Sequence, residues 1–283
     1  MNDPLLIIDE KIFRKEFNKS PFLVEHRLSD HPLFELPRLL QLCRDLPEDR
    51  VEYNGGNLTI SQDSQLTPHT GLSPEETIRN ISECGSWLVL KNIERDPQYR
   101  ELLHETVRPL GEGVPGMHAL EGFVFVSSPH AITPYHMDPE HNFLLQIKGS
   151  KQIKLFDQED IELLSAEELE TFYGGNEHRN MKLPEEYYYK EKVFDLAPGM
   201  GLHFPVTAPH WVSVGPDVSI SFSATFRSEL SRRRSVLHNI NRQIRRMGLK
   251  PSAVGQSCLR DNSKYLAYKA VRGVKHRIFG RNR

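Results

Sequence analysis

Apolar and polar positions change their period twice along the chain. From 1 to 120 the pattern is mostly helical with irregular breaks. Leu36, Leu39, Leu40 and Leu42 recur at helical spacing after Pro37 and predict an amphipathic helix. Ser73-Pro-Glu-Glu76 has the form of a capping box with proline at the first helical position, so a helix is expected over about 74–84. Trp87–Ile93 follows as a short, nearly unbroken apolar run, the mark of a buried strand. The stretch 53–71, with Gly55, Gly56, Pro68 and several Ser/Thr, reads as a covering loop.

From 121 to 226 the period falls to two. Strands are predicted at Phe123–Ser128, Tyr135–Asp138, Phe143–Lys148, Gln152–Phe156, Lys192–Leu196, Gly201–Phe204, Trp211–Val214 and Val218–Phe226. Gly149-Ser150, Pro198-Gly199 and Gly215-Pro216-Asp217 punctuate them. Short strands at this spacing imply a mainly β fold with flanking helices, its core a double-stranded β-helix of jelly-roll type. Ser165-Ala-Glu-Glu168 is a second capping box, and it starts a helix in an insertion over 157–190. Beyond 227 helical spacing returns. Leu230, Leu237 and Ile244 lie seven apart, with Ile240 and Met247 as a second row. Gly248 and Pro251 supply the stop. A further helix from about Asn262 would place Leu266, Ala270, Val274 and Ile278 on one stripe. Three regions are therefore expected: 1–120, a β core over 121–226, and a helical 227–283.

Charge divides along the same boundary. Residues 227–283 hold 16 Lys+Arg against Glu229 and Asp261, near +14, while the rest holds 20 bases and 36 acids, near −16. That asymmetry implies a basic surface for an anionic partner or a tail held by acidic groups. Arg232-Arg233-Arg234 with Arg242, Arg245 and Arg246 could touch nucleic acid, but few aromatics are interleaved, so a solvated or internally paired basic face is the favoured reading. Hydrophobic residues at 38% and charged residues at 26% describe an ordinary globular protein. Cys43, Cys84 and Cys258 are odd in number and far apart, which points to a reducing, cytoplasmic setting. The first residues contain only a four-residue apolar run, Leu5–Ile8, and no secretory leader or membrane span is expected.

The candidate chemistry sits in Thr133-Pro-Tyr-His-Met-Asp138. His136 and Asp138 at i and i+2 would share one face of a strand and one metal ion. A second imidazole would complete two histidines and one carboxylate, the facial set of non-haem Fe(II) oxygenases, with positions left open for a co-substrate and O2. Of 13 histidines, His210 fits best, because it follows a turn–strand–stop and opens the strand Trp211–Val214. His203 is the rival but sits mid-strand. His141 lies at an odd offset from Asp138. Lys151, with Thr133, would supply the cation and hydroxyl for the far carboxylate of 2-oxoglutarate; by spacing alone it reads as a solvated residue after the Gly149-Ser150 turn.

The run Ile132-Thr-Pro-Tyr-His-Met-Asp-Pro-Glu-His-Asn-Phe-Leu-Leu-Gln-Ile-Lys-Gly-Ser-Lys151, continuing to Leu155-Phe156, resembles the cupin-like Jumonji C oxygenases, especially the branch with the asparaginyl hydroxylase of hypoxia-inducible factor. The Pro205-to-His210 spacing resembles that family's distal motif, and the N-terminal part resembles bacterial cupin-like proteins. The resemblance implies His136, Asp138 and His210 as iron ligands. It implies Lys151 and Thr133 as contacts of 2-oxoglutarate, and Asn142 as a polar neighbour of the co-substrate. Ser223 stands where the family has Asn, and Met200 where it has a structural Asp. The implied activity is hydroxylation of a C–H bond in a protein, peptide or amino-acid-like substrate, with release of succinate and CO2. The alternatives are N-methyl demethylation and a non-catalytic regulator that binds nucleic acid through its tail. A homodimer through the C-terminal helices is also implied, against packing within one chain. Specificity is expected in 53–71 and 157–190.

Overall fold

A computed structural model describes residues 3–62, 66–175 and 181–279. The chain forms two compact units, one of Met1–Gln158 with His178–Ser228, the other of Glu159–Glu177 with Glu229–Arg283. The insertion helix thus groups with the C-terminal helices rather than with the β core.

The first unit is two antiparallel sheets. The larger has eight strands in the order β1-β2-β10-β7-β12-β5-β4-β3, where β1 is Leu6–Ile7, β2 Phe22–His26, β3 Val51–Gly55, β4 Ser86–Lys91, β5 His118–Ser127, β7 His141–Lys148, β10 Met200–Phe204 and β12 Ser219–Arg227. The smaller has the order β6-β11-β8-β9, with β6 Ile132–His136, β8 Lys151–Leu155, β9 Lys192–Leu196 and β11 His210–Val214. All eight strands expected after residue 121 are present. The expectation of a mostly helical N-terminal third is corrected: four strands from it, β1 to β4, join the larger sheet. Among them β3 replaces the first part of the expected loop at 53–71, of which 63–65 lie outside the described residues.

Strand β12 shows why the sheet has two different faces. Ile220, Phe222, Ala224 and Phe226 alternate with Ser221, Ser223 and Thr225, and all are buried. The apolar set joins Val124, Leu88, Leu39 and Leu42 of helix α2 (Leu36–Asp45) and Tyr99 and Leu103 of helix α4 (Pro97–Val107) in one large core. The hydroxyl set faces the smaller sheet. There a second, smaller cluster of Leu144, Ile153, Leu155, Leu202, Phe204 and Val212 fills one end. The first unit also holds an open cavity that Ser223 and Thr225 help to line.

The capping boxes form as read. Ser73 caps α3 (Pro74–Arg79) with Glu76 returning to its backbone, and Ser165 with Glu168 does the same for α5 (Ala166–Gly174). Helix α3 ends five residues short of the expected boundary.

The second unit holds α5, α6 (Glu229–Arg246) and α7 (Cys258–Phe279). Two of the six arginines of α6 are met there by acids of the insertion. Arg245 pairs with Glu170 at 2.8 Å and Glu167 at 2.6 Å, and Arg234 with Glu159 at 2.9 Å. Leu237 is buried while Leu230 and Met247 are exposed, so the predicted heptad row is only partly packed. On α7, Leu259, Leu266 and Val271 are exposed; the side chains of Val274 and Ile278 lie outside the described residues. No helix among the described residues is long and apolar enough to cross a membrane.

Gly149 closes the β7–β8 turn at φ +67°, and a Cβ there would stand 2.4 Å from the Val218 carbonyl oxygen. Both the left-handed backbone and the contact exclude a side chain. Gly149→Ala is expected to destabilise the protein by roughly 1–3 kcal/mol, read as a lower denaturation midpoint at unchanged m-value.

Candidate functional site

Strands β6 and β11 pair with His136 opposite His210 and Thr133 opposite Val212, so the register shifts by one residue between the two pairs. This β-bulge breaks simple alternation on β6. Both Thr133 and His136 then line the cavity, three positions apart, while Tyr135 is buried against Phe156. The strand ends at His136, earlier than expected. Asp138 therefore lies past the strand end rather than on its face. Its backbone carbonyl accepts a hydrogen bond from Thr207 N at 2.9 Å. Thr207 holds a left-handed φ of 65°, strained for a β-branched residue, in the tight link from β10 that delivers His210.

These devices bring His136, Asp138 and His210 together. One ligand atom from each lies within 4.8 Å of the others. Asp138 Oδ2 is 4.0 Å from His136 Nε2 and 3.9 Å from His210 Nε2. His136 Nδ1 donates to the Pro134 carbonyl at 2.7 Å, and His210 Nδ1 to the Ala208 carbonyl at 3.0 Å. A proton held on each Nδ1 by a backbone carbonyl leaves the Nε2 lone pair facing the carboxylate, as in metal-ligating histidines. The donor set and its fixed tautomers fit a divalent metal ion. The rivals lie elsewhere. His203 and His141 are buried in an aromatic stack with Phe17, where burial pushes them down to about 3 and about 4 and keeps them neutral.

The cavity beside the triad measures about 320 Å³. Asn142 and Ser223 line it together, with Ser223 Oγ donating to Asn142 Oδ1 at 2.5 Å. Lys151 is 5% exposed, so its reading as a solvated turn residue is corrected. It shares the inner face of β8 with Ile153 and Leu155, and its Nζ stands 5.5 Å from the ring centre of Phe125. Burial pushes its ammonium down to about 7. Glu140 also borders the cavity. Burial pushes its carboxyl up, and Arg227, donating at 2.7 Å, opposes the shift.

Sequence reasoning missed the wall opposite the triad: Glu52 and Asn54 of β3, and Trp87 and Lys91 of β4. The signal available was parity, since Trp87, Val89 and Lys91 share one face of β4. The unbroken apolar run concealed it.

A stretch of 102 residues is 34% identical to the lysine-specific demethylase 8 of Danio rerio and covers 34% of this chain. The chain spans about a quarter of that relative, 24% of its length. The fold is similar to the X-ray structure of Escherichia coli YcfD, with a TM-score of 0.55, 15% identity, and coverage of 95% of this chain and 68% of that one. It is equally similar to YcfD, a ribosomal oxygenase, in complex with cobalt and 2-oxoglutarate, with a TM-score of 0.54, 16% identity, and coverage of 96% and 68%. Residues 49–235, well over half of the sequence, match the model of the cupin-like domain, and the chain belongs to that family.

Proposed function

We propose that this protein is an Fe(II)- and 2-oxoglutarate-dependent oxygenase of Jumonji C type, hydroxylating a C–H bond of a protein, peptide or amino-acid-like substrate. The observation that carries the proposal is the convergence of ligand atoms of His136, Asp138 and His210 within 4.8 Å of one another, with His136 and Asp138 lining the cavity. The cobalt and 2-oxoglutarate held by YcfD support the choice of co-substrate. The complete ligand set speaks against a non-catalytic regulator. The demethylase reading draws on the name of the Danio rerio relative, and formaldehyde release from methylated peptides would favour it over hydroxylation.

Iron with 2-oxoglutarate, once bound, supplies the oxidation: the 2-oxo acid becomes succinate and CO2 as one oxygen atom of O2 enters the substrate C–H bond. The chain's own residues do the rest. His136, Asp138 and His210 would hold the metal, a two-histidine, one-carboxylate set that leaves positions for a co-substrate. Lys151 lies four residues beyond the His210 row along the paired strands β11 and β8, about 13 Å of backbone. A lysine side chain and an extended dicarboxylate together bridge that gap. Thr133, between the two rows, offers a hydroxyl to the same carboxylate. Asn142 and Ser223 present amide and hydroxyl groups to the cavity that His136 and Asp138 also line. The Phe125 ring and the smaller apolar cluster exclude water from the Lys151 ammonium, so its pairing with a dianion is strong.

We further propose a homodimer in a reducing, cytoplasmic compartment, with the exposed row of Leu259 and Leu266 on α7 covered by a second copy.

Succinate release with consumption of 2-oxoglutarate by the iron-loaded chain tests the central proposal; absence of both 2-oxoglutarate binding and turnover would refute it. Replacing His136 with alanine should weaken Mn(II) binding by at least about 100-fold, read by electron paramagnetic resonance. Lys151→Met should reduce 2-oxoglutarate affinity by about 100-fold or more and raise the Tm of the ligand-free protein by a few degrees, about the effect of removing an uncompensated buried cation. The sign with pH follows. A folded lysine at about 7 and an unfolded one near its ordinary value make ligand-free stability rise between those two pH values. Over the same window 2-oxoglutarate binding takes up a proton and weakens with rising pH, whereas below pH 7 the uptake vanishes. Calorimetry in buffers of different ionisation enthalpy measures that uptake. For the dimer, Leu266→Glu should shift the mass from light scattering to that of a single chain, and a wild-type monomer would refute the pairing.

A further inference from the structure

The cavity extends beyond the metal-binding wall to β3 and β4, which the chemistry above leaves unused. There Glu52 and Lys91 form an ion pair on the cavity wall, each side chain about a quarter exposed. In the β3–β4 register Glu52 stands opposite Val89, two residues from Lys91, and Asn54 stands opposite Trp87. Trp87 lines the same wall, and its buried Nε1–H has no hydrogen-bond partner. A pair this far out of water gives little net stability, and an unpaired buried donor costs more. The wall therefore holds a cation and an anion paired between the two strands, and an indole N–H without a partner four residues from Lys91 on the same face of β4. A ligand carrying both charges on one carbon would replace one internal ion pair with two charge-assisted contacts and satisfy the indole.

Resting on the oxygenase reading, we propose that the β3–β4 wall binds the main-chain groups of a free α-amino acid. Glu52 takes the ammonium, Lys91 and the Trp87 Nε1–H take the carboxylate, and the amino-acid side chain is left toward His136 and Asp138. An internal residue of a peptide carries neither charge and would break the pair without replacing it. The volume of about 320 Å³ lies at the small end of small-molecule sites, enough for the co-substrate and one residue.

Calorimetry on the full chain loaded with Mn(II) and 2-oxoglutarate provides the test, with the common L-α-amino acids and their N-acetyl and carboxamide derivatives as probes. At least one free amino acid should bind with a Kd of about 1 mM or tighter, and blocking either end should weaken it by about tenfold or more. The double substitution Glu52→Lys with Lys91→Glu keeps an ion pair between the strands; it should abolish amino-acid binding and leave 2-oxoglutarate binding intact. Blocked derivatives binding as tightly as the free form, undiminished binding by the swapped variant, or no amino acid binding at millimolar concentration would each overturn the inference. Binding of 2-oxoglutarate alone, with no amino acid, removes this inference and leaves the oxygenase reading standing. Loss of 2-oxoglutarate binding removes both.

Discussion

Two imidazoles and a carboxylate can share an ion only if each presents a lone pair to one point, and here the backbone enforces that. The Pro134 and Ala208 carbonyls accept the Nδ1 protons of His136 and His210, so the free nitrogens face Asp138 before any metal arrives. This depends on the β6–β11 pairing and on its bulge, which turns Thr133 and His136 to one side. It depends equally on the Thr207–Asp138 backbone contact, which ties the two ligand-bearing loops together. Preorganisation of this kind lets the binding energy of a metal go into holding it rather than into ordering the loops.

The same barrel accepts a cost at its other end. Lys151 sits among Ile153, Leu155 and the Phe125 ring, where its charge is expensive. A core chosen for stability alone would put an apolar side chain there. The cost is tolerable because the surrounding framework is large: the apolar faces of β12, β5 and β4 pack against α2 and α4 in one continuous core. The alternation on β12 separates these tasks. One face carries phenylalanines into the core, the other carries hydroxyls into the cavity.

Much of this was legible in the sequence because it depends on local period. The β-region strands follow alternation and turn residues, and the two capping boxes follow from Ser73 and Ser165 with their glutamates. The metal residues were legible as types and spacings. What was not legible is set by partners distant in sequence. Phe22–His26 becomes a strand because it pairs with β10, almost two hundred residues away. Val51–Gly55 ends in glycine and resembles a turn until β4 pairs with it. Lys151 reads as solvated beside its turn, although its shared parity with Ile153 and Leu155 was a usable sign of burial. The bulge on β6 has no local signature beyond Pro134, so the face of Asp138 was assigned to a strand that ends before it.

The charge asymmetry is met in part in a related way. The near +14 of residues 227–283 suggested an external anion, yet Glu159, Glu167 and Glu170 of the insertion pair with Arg234 and Arg245 inside one compact unit. Three acids of the insertion thus meet two of the 16 bases, and net charge by segment overstates the free cationic surface by that much. What remains outward on α7 includes an apolar row, Leu259 and Leu266, flanked by Arg260 and Lys269. A polyanion would leave the leucines in water, whereas an apolar partner covers them and lets the flanking cations stay solvated at its rim.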